Sequence, residues 1–322
     1  MRPFSYIRAD APKADAAASF LAGGTTLLDL MKLDVLRPER VADINGLALS
    51  GVRLDAHGLH LGALARMSEV ADHAEVKRHY PVVAQSLMLA ASPQIRNMAS
   101  LGGNVLQRTR CPYFRDTSYT ACNKRNPGSG CSAIGGVNRL QAVLGTSEAC
   151  IAAYPGDFAQ ALVVLDAEVE VQGAQGRRRM RFAELHVAPG QAPQRETTLQ
   201  PGDLITGFSV PAGAWTARSL YLKVRDRKSY AFALASAAVA LQLEGETVRE
   251  VRIALGGVAT VPWRAHDAEA ELRGKRLDEA SATRAAAAAF ASAQTHGENA
   301  FKPELGRRTL VRALLQAKQM EA

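Results

Sequence analysis

The sequence predicts an α+β fold with two domains. Its 322 residues are enough for two separate hydrophobic cores. A strand-like run at residues 204–210 stops at Pro211, which places a domain boundary near residues 211–214. In the segment that follows, strands come first and helices after them, the order expected of an α+β domain. We therefore divide the chain into domains at residues 1–213 and 214–322.

Short strands and helices alternate in the first domain. They are predicted at residues 20–22 (strand), 25–32 (helix), 58–63 (strand), 82–91 (helix), 157–166 (helix) and 167–171 (strand). Between them, residues 105–147 are rich in Arg, Lys, Gly, Asn, Pro and Cys and show little periodicity. A loop of this length inside a compact domain is unusual and often functional.

The second domain shows three strand-like runs and a helical tail. The strands are predicted at residues 219–225, 231–243 and 248–257, and the helices at 262–273, 279–293 and 305–318.

Composition excludes several classes of function. Hydrophobic residues make up 47% of the chain and charged residues 22%, as in soluble proteins. The longest nearly apolar stretch, at residues 231–243, is too short to cross a bilayer, so no membrane insertion is expected. The net charge of +8 is spread along the chain without a nucleic-acid-binding motif, so it indicates an anionic cofactor or another subunit. The start, MRPFSYIRAD, lacks an apolar segment, and we expect no secretory signal of the chain's own.

Two glycine pairs suggest a site for a diphosphate. In AGGTTLLDLMK, at residues 22–32, Gly23 and Gly24 separate a strand from a helix, whose first free amides attract an anion. A second pair, Gly102 and Gly103, lies in SPQIRNMASLGGNVLQ at residues 92–107. Two such loops could hold one diphosphate from both sides. Alternatively, the first is an ordinary strand–helix turn and the second an irregular loop after a helix.

All four cysteines fall in one short segment. Cys111, Cys122, Cys131 and Cys150 are separated by 10, 8 and 18 residues. Thiolates bind zinc or iron–sulfur clusters, but zinc sites usually contain CxxC pairs, which this segment lacks. Six cations and one carboxylate between residues 108 and 139 give a net charge of +5, which would offset an anionic cluster. The pattern favours an iron–sulfur cluster, with zinc and free thiols or disulfides as alternatives.

Asp157 and Lys223 are further candidates for cofactor contacts. Asp157 is most simply the N-cap of a helix, but it could also accept hydrogen bonds from a ribose. Lys223 lies in a strand, where a lysine is usually solvated; beside a flavin it could hold the pyrimidine edge. Arg225 and Arg227 are expected to be surface or interface charges. The sequence contains no HExxH, GxSxG or convincing carboxylate pair, so no catalytic residue is assigned.

The order of these motifs resembles the FAD subunits of the xanthine dehydrogenase family. The resemblance rests on FLAGGTTLL, SLGGN, YPGD, GDLITGFSVP and YLKVRDRKSYAFALASAAVAL and covers nearly the whole chain. Most such subunits lack the cysteine-rich insert, at about residues 105–150 here, which looks like the four-iron insert of the periplasmic aldehyde oxidoreductase group. A flavin subunit like that of 4-hydroxybenzoyl-CoA reductase is an alternative, and so is an iron–sulfur structural or regulatory protein without flavin.

The resemblance implies a fold and a cofactor site. The first domain would be a vanillyl-alcohol-oxidase-type FAD domain with lobes at about residues 1–55 and 56–213, followed by a small antiparallel sheet with helices. One [4Fe-4S] cluster would be held by the four cysteines, and the usual Pro-Ser-Asp is Pro-Gly-Asp at Asp157. Ile205 and Lys223 match positions that flank the isoalloxazine. The residues expected to contact FAD are Phe20, Leu21, Ala22, Gly23, Gly24, Thr25, Thr26, Leu27, Leu28, Ser100, Gly102, Gly103, Asn104, Asp157, Ile205 and Lys223.

The resemblance also implies a complex. A large subunit would hold molybdopterin and oxidise an aldehyde to a carboxylic acid, and a small subunit would hold two [2Fe-2S] clusters. This chain would take electrons from those clusters and pass them to an external acceptor. The complex would be cytoplasmic, or periplasmic if a partner with a twin-Arg signal carried the chain across the membrane.

Overall fold

A computed structural model describes residues 1–13 and 15–321. The first lobe contains a small parallel sheet with strand order β1-β3-β2. Its elements are β1 Ser5–Arg8, β2 Ser19–Leu21, α1 Leu27–Lys32 and β3 Arg40–Asp43. Because the central strand β3 pairs with both neighbours, the end of β2 and the glycines that follow it are held at one edge of the sheet.

The second lobe is a five-stranded antiparallel sheet covered by short helices. The strand order is β4-β5-β8-β6-β7. The strands are β4 Val52–Asp55, β5 Gly58–Gly62, β6 Glu168–Gly173, β7 Gly176–Arg181 and β8 Leu204–Pro211. The helices are α2 Met67–Asp72, α3 Ala74–His79, α4 Pro81–Met88, α5 Pro93–Met98, α6 Leu101–Val105, α7 Pro112–Arg115 and α8 Phe158–Val164. Buried residues of β6 and β8 share one core with residues of α4 and α8, the largest core among the described residues.

The C-terminal domain is a four-stranded antiparallel sheet with three helices. Its order is β12-β11-β10-β9, formed by β9 Ser219–Val224, β10 Ala235–Glu244, β11 Thr247–Gly256 and β12 Trp263–Arg264. The helices are α9 His266–Leu272, α10 Glu279–Ala289 and α11 Lys302–Lys318. Strand β10 is buried from Ala235 to Leu241 because both of its faces are covered. Ala238 and Ala240 join the core of the first domain, whereas Val239 and Leu241 pack in the core of the second.

The predicted α+β class is confirmed, but two boundaries differ from the prediction. Strand β4 pairs with β5, so the second lobe begins before Val52 and not near residue 55. The strand predicted at residues 231–243 begins only at Ala235, because residues 225–234 form a loop in which Tyr230 adopts a positive φ of 50°. In the part of the chain that the structure describes, no helix is both long and apolar enough to span a membrane.

Candidate functional site

The two glycine segments are in direct contact. A side chain on Gly23 would place its Cβ 1.9 Å from the carbonyl oxygen of Met98, so the backbones of the two segments touch at this point. Gly24 follows with a φ of 72°, a conformation that favours glycine. Gly23 therefore allows the two loops to pack closely, and Gly24 allows the turn that leads into α1.

Each glycine segment begins a helix. Helix α1 starts after Thr26, whose hydroxyl makes no capping bond. Helix α6 starts after Ser100, whose Oγ accepts a hydrogen bond of 3.2 Å from the amide of Gly103. Gly102 packs against Ala63, where an added Cβ would lie 3.1 Å from the alanine Cβ. The predicted strand–glycine–helix arrangement of the first segment is thus present in the structure.

Two neighbouring cavities lie beside these segments. The first, of about 220 Å³, is lined by both glycine segments and by Leu204 and Ile205. The second, of about 530 Å³, is lined by Asn104, Asp157, Tyr230 and Phe232 among others. Thr25 and Thr26 line both cavities, so the two form one continuous groove around the start of α1.

Most of the sixteen predicted FAD contacts line this groove. Leu21, Leu28 and Lys223 do not line either cavity. The other thirteen do: Phe20, Ala22, Gly23, Gly24, Thr25, Thr26, Leu27, Ser100, Gly102, Gly103, Asn104, Asp157 and Ile205.

Asn104 provides an observation that fits a polar ligand. Its Nδ2 lies 3.3 Å from the sulfur of Met67, whereas its buried Oδ1 has no hydrogen-bond partner among the described residues. A buried carbonyl oxygen without a partner is costly, and a ligand hydroxyl would satisfy it.

Asp157 and Lys223 bind each other. Asp157 is the N-cap residue of α8 by position, as predicted, but its side chain makes no capping bond. Instead its carboxylate accepts hydrogen bonds from Lys223 Nζ at 2.7 Å and from the Tyr221 hydroxyl at 2.5 Å. Lys223 Nζ also donates to the carbonyl of Leu89 at 3.1 Å, and its side chain is fully buried. Burial raises the pKa of Asp157, and the Lys223 ammonium opposes this rise.

This pairing changes the expected roles of two residues. Ile205 lines the first cavity, whereas Lys223 lies behind Asp157 at the wall of the second. The structure does not bring Ile205 and Lys223 together around one cavity. Lys223 is also neither a solvated strand lysine nor a free cation facing the groove.

The cysteine-rich insert brings its four thiols around one small space. Cys111, Cys122, Cys131 and Cys150 all line a cavity of about 10 Å³, beside the apolar rings of Tyr113 and Phe114. Cys122 and Cys131 come together through an antiparallel bridge. In residues 1–13 and 15–321, no group of three or more His, Cys, Asp or Glu side chains is arranged to hold a metal ion.

The thiols differ in their pKa values. Cys131 and Cys150 share a hydrogen bond, which lowers the pKa of Cys131 to about 6 and raises that of Cys150. Burial raises the pKa of Cys111 to about 11. Lys124, whose ammonium pairs with Glu196 at 2.7 Å, also lines the cavity. Thiols are soft donors of the kind that bind zinc or iron–sulfur clusters.

Sequence reasoning missed several residues of the second cavity. Arg110 and Arg115 line it from the insert, and Tyr230 and Phe232 line it from the loop at residues 225–234. Arg227, interpreted above as a surface charge, also lines this cavity. The signal for Arg110 and Arg115 in the sequence is the high density of cations in the insert, which is interpreted above only as balancing the charge of a cluster.

Comparison with known proteins relates both domains to one family. Residues 4–213 match the FAD binding domain in molybdopterin dehydrogenase, and residues 220–317 match the CO dehydrogenase flavoprotein C-terminal domain. The aldehyde oxidoreductase FAD-binding subunit PaoB of Escherichia coli (strain K12) is 45% identical over 328 residues, covering 99% of each chain. The glyceraldehyde dehydrogenase medium chain of Sulfolobus acidocaldarius is 27% identical, covering 86% of this chain and 83% of its own.

A solved structure shows the same fold. Carbon monoxide dehydrogenase from Hydrogenophaga pseudoflava superposes with a TM-score of 0.76 and 25% identity, covering 98% of this chain and 97% of that one. The FAD-binding family match extends over more than half of the sequence, and all residues that line the first cavity lie within it. The protein therefore belongs to the FAD-binding subunits of the molybdenum hydroxylases.

Proposed function

We propose that this chain is the electron-transfer subunit of a heteromeric molybdenum hydroxylase that oxidises aldehydes to carboxylic acids. It would hold FAD and one [4Fe-4S] cluster, take electrons from [2Fe-2S] clusters on a small subunit and pass them to an external acceptor. The observation that carries the aldehyde assignment is the 45% identity, over 99% of both chains, to a FAD-binding subunit of an aldehyde oxidoreductase.

The groove supports a specific placement of FAD. The first cavity, with apolar walls at Phe20 and Ile205, would take the adenosine end. The second, larger cavity would take the isoalloxazine, and the diphosphate would lie between them at Thr25 and Thr26. When bound there, FAD supplies the redox chemistry that the side chains of the groove lack.

The side chains of the groove would orient the cofactor. The hydroxyls of Thr25 and Thr26 would donate hydrogen bonds to phosphate oxygens, and Asn104 Oδ1 would accept one from a ligand hydroxyl. Asp157 would present its carboxylate at the wall of the second cavity, held in place by Lys223 and Tyr221. Lys223 would then act on the cofactor through Asp157.

For the metal site we propose Cys111, Cys122, Cys131 and Cys150 as ligands of the [4Fe-4S] cluster. The convergence of all four thiols on one cavity supports the assignment. A space of about 10 Å³ has room for about one water molecule, so the loops that carry the cysteines must move apart to admit a four-iron core. The four cysteine thiolates would hold the cluster, and the cluster would supply one-electron transfer.

A spectrum of the purified complex with metal analysis tests both cofactors. We expect a flavin band near 450 nm with about eight irons and eight sulfides per complex, four of each in this chain and four in the two [2Fe-2S] clusters of the small subunit. Each single Cys→Ser variant should lose iron. Zinc, together with only the iron and sulfide of the small subunit's two [2Fe-2S] clusters, would support the single-ion alternative. Full iron in all four variants would refute the ligand assignment.

Assembly and substrate need separate measurements. Co-purification should recover a molybdopterin-containing large subunit and a small subunit with two [2Fe-2S] clusters. The complex should oxidise aldehydes and should not reduce an aromatic CoA thioester, the reaction of the alternative enzyme. Fractionation of cells would locate the complex in the cytoplasm or the periplasm; we propose that export, if it occurs, depends on a partner's twin-Arg signal.

A further inference from the structure

The cysteine-rich insert contributes an arginine to the proposed flavin groove. Arg110 immediately precedes Cys111 and lines the second cavity together with Thr25, Thr26 and Asn104. The side chain is about three-quarters buried, with 26% of its surface exposed. The insert therefore forms part of the wall of this cavity in addition to carrying the four thiols.

The charge of Arg110 is only weakly compensated. Its nearest carboxylate, Asp29, is held in a two-pronged contact by Arg115, with distances of 2.8 and 3.0 Å. Arg110 reaches the same carboxylate through one longer contact of 3.3 Å from Nη1. Two guanidinium groups thus share one carboxylate, which leaves a net positive charge at this wall of the cavity.

Arg110 also has unused hydrogen-bonding capacity. Its Nε is buried and has no hydrogen-bond partner among the described residues. Its guanidinium carbon lies 5.1 Å from the ring centre of Phe232, which supports the side chain from the loop at residues 225–234. A buried arginine donor without an acceptor is unfavourable unless a ligand supplies one.

We propose that Arg110 binds the diphosphate of FAD, so that the insert completes the flavin site. This inference rests on the FAD placement proposed above. The diphosphate is the most anionic part of FAD, and the two threonines that share this cavity with Arg110 lie where the two cavities meet. Lys223 cannot serve this purpose, because Asp157 already neutralises its ammonium. Asp29 and Arg115 are positioning residues that hold Arg110 against the cavity.

Ligand affinities of the deflavinated complex test this assignment. The variants are Arg110→Gln, which removes the charge, and Arg110→Lys, which keeps the charge but loses the planar donor group. Arg177→Gln, at an exposed position of β7, is the control with the same change in net charge. The dissociation constants of FAD, ADP and adenosine are measured for each, together with iron per chain.

We expect Arg110→Gln to weaken the binding of FAD and of ADP by about tenfold or more, the loss of affinity typical of removing a charge-assisted hydrogen bond. Adenosine binding should be unchanged, Arg110→Lys should be intermediate, and Arg177→Gln should match wild type. A general loss of folded protein affects the binding of ADP and of adenosine equally. The ratio of the two affinities therefore tests the role of Arg110 even if a variant is less stable.

An unchanged ratio of ADP to adenosine affinity in Arg110→Gln would overturn the inference. An altered flavin reduction potential with unchanged ADP affinity would also overturn it, by placing Arg110 against the isoalloxazine. If wild-type complex bound no FAD at all, the proposed function itself would fail, which is a different outcome from a wild-type-like variant.

Discussion

Replacing Lys223 by methionine would leave the Asp157 carboxylate buried without its cation. The two side chains are separated by 2.7 Å and are 0% and 4% exposed, so solvent does not screen their interaction. Methionine keeps most of the lysine volume, so the change removes mainly the charge and the hydrogen bonds. The expected result is a large loss of folding stability that is independent of any bound cofactor.

The magnitude follows from the burial of the pair. Two unit charges 4 Å apart interact by about 4 kcal/mol at an effective dielectric constant of about 20. Removing one partner of a buried pair typically costs about 3–5 kcal/mol, because the remaining charge is desolvated and unpaired. With an unfolding entropy of about 2.1 cal/mol/K per residue, this corresponds to a decrease in Tm of about 4–8 °C for a chain of this size.

The loss should depend on pH. Burial already raises the pKa of Asp157, and without the ammonium this pKa rises further. At pH values above about 3.9, the pKa of an aspartate in the unfolded chain, the folded variant then binds more protons than the unfolded variant. Its stability therefore falls as the pH rises. The difference in Tm between wild type and Lys223→Met should therefore be smallest near pH 5 and largest near pH 8.

Thermal unfolding of the two proteins, with a double-mutant cycle, measures these effects. Lys223→Met combined with Asp157→Asn should recover much of the lost stability, because no carboxylate is then left unpaired. Arg179→Met provides the control, since Arg179 pairs with Glu170 at 2.8 Å but is 61% exposed, and such pairs contribute less than about 1 kcal/mol. A Lys223→Met loss no larger than that of Arg179→Met, or equal at pH 5 and pH 8, would refute the reasoning.

Four further predictions concern other parts of the molecule. Asp157 should take up a proton when the Lys223 ammonium is removed, so the net charge of the pair changes little. Lys223→Met should therefore lower the FAD reduction potential by less than the loss of an unpaired ammonium would, as a redox titration can measure. Gly23→Ala should destabilise the chain by about 1–3 kcal/mol or more through its clash with Met98, whereas Gly51→Ala, with no atom within 4 Å, should be neutral in thermal unfolding. Burial lowers the pKa of Lys302 to about 7, so the wild type should gain stability between pH 7 and about 10, and Lys302→Met should lose this rise in a Tm series. Neither glycine segment contains His or Cys, so acid precipitation should release all flavin to the supernatant, and flavin in the pellet would contradict noncovalent binding.

The two glycine segments could be recognised from the sequence, but their contact with each other could not. Gly23 and Gly102 mark positions where the backbone needs close approach or an unusual turn, and such positions can be recognised from local sequence. The structure adds that Gly23 faces Met98 and not a ligand, a contact between residues 75 positions apart in the chain. The clustering of the four cysteines could also be predicted, because their confinement to residues 111–150 suggests a shared ligand.

The sequence by itself therefore determined the fold class, the glycine segments and the cysteine cluster, since all three depend on local patterns and on composition. Only the tertiary structure decided which charges meet. Lys223 pairs with Asp157, and Arg110 shares Asp29 with Arg115, because strands and loops distant in sequence are folded onto the same groove. The sequence specifies which residues are charged. The partner of each charge depends on the packing of elements that lie 66 to 86 positions apart in the chain. Because burial removes water from a charged group, a buried charge must be paired, and only the tertiary structure shows which charges are buried.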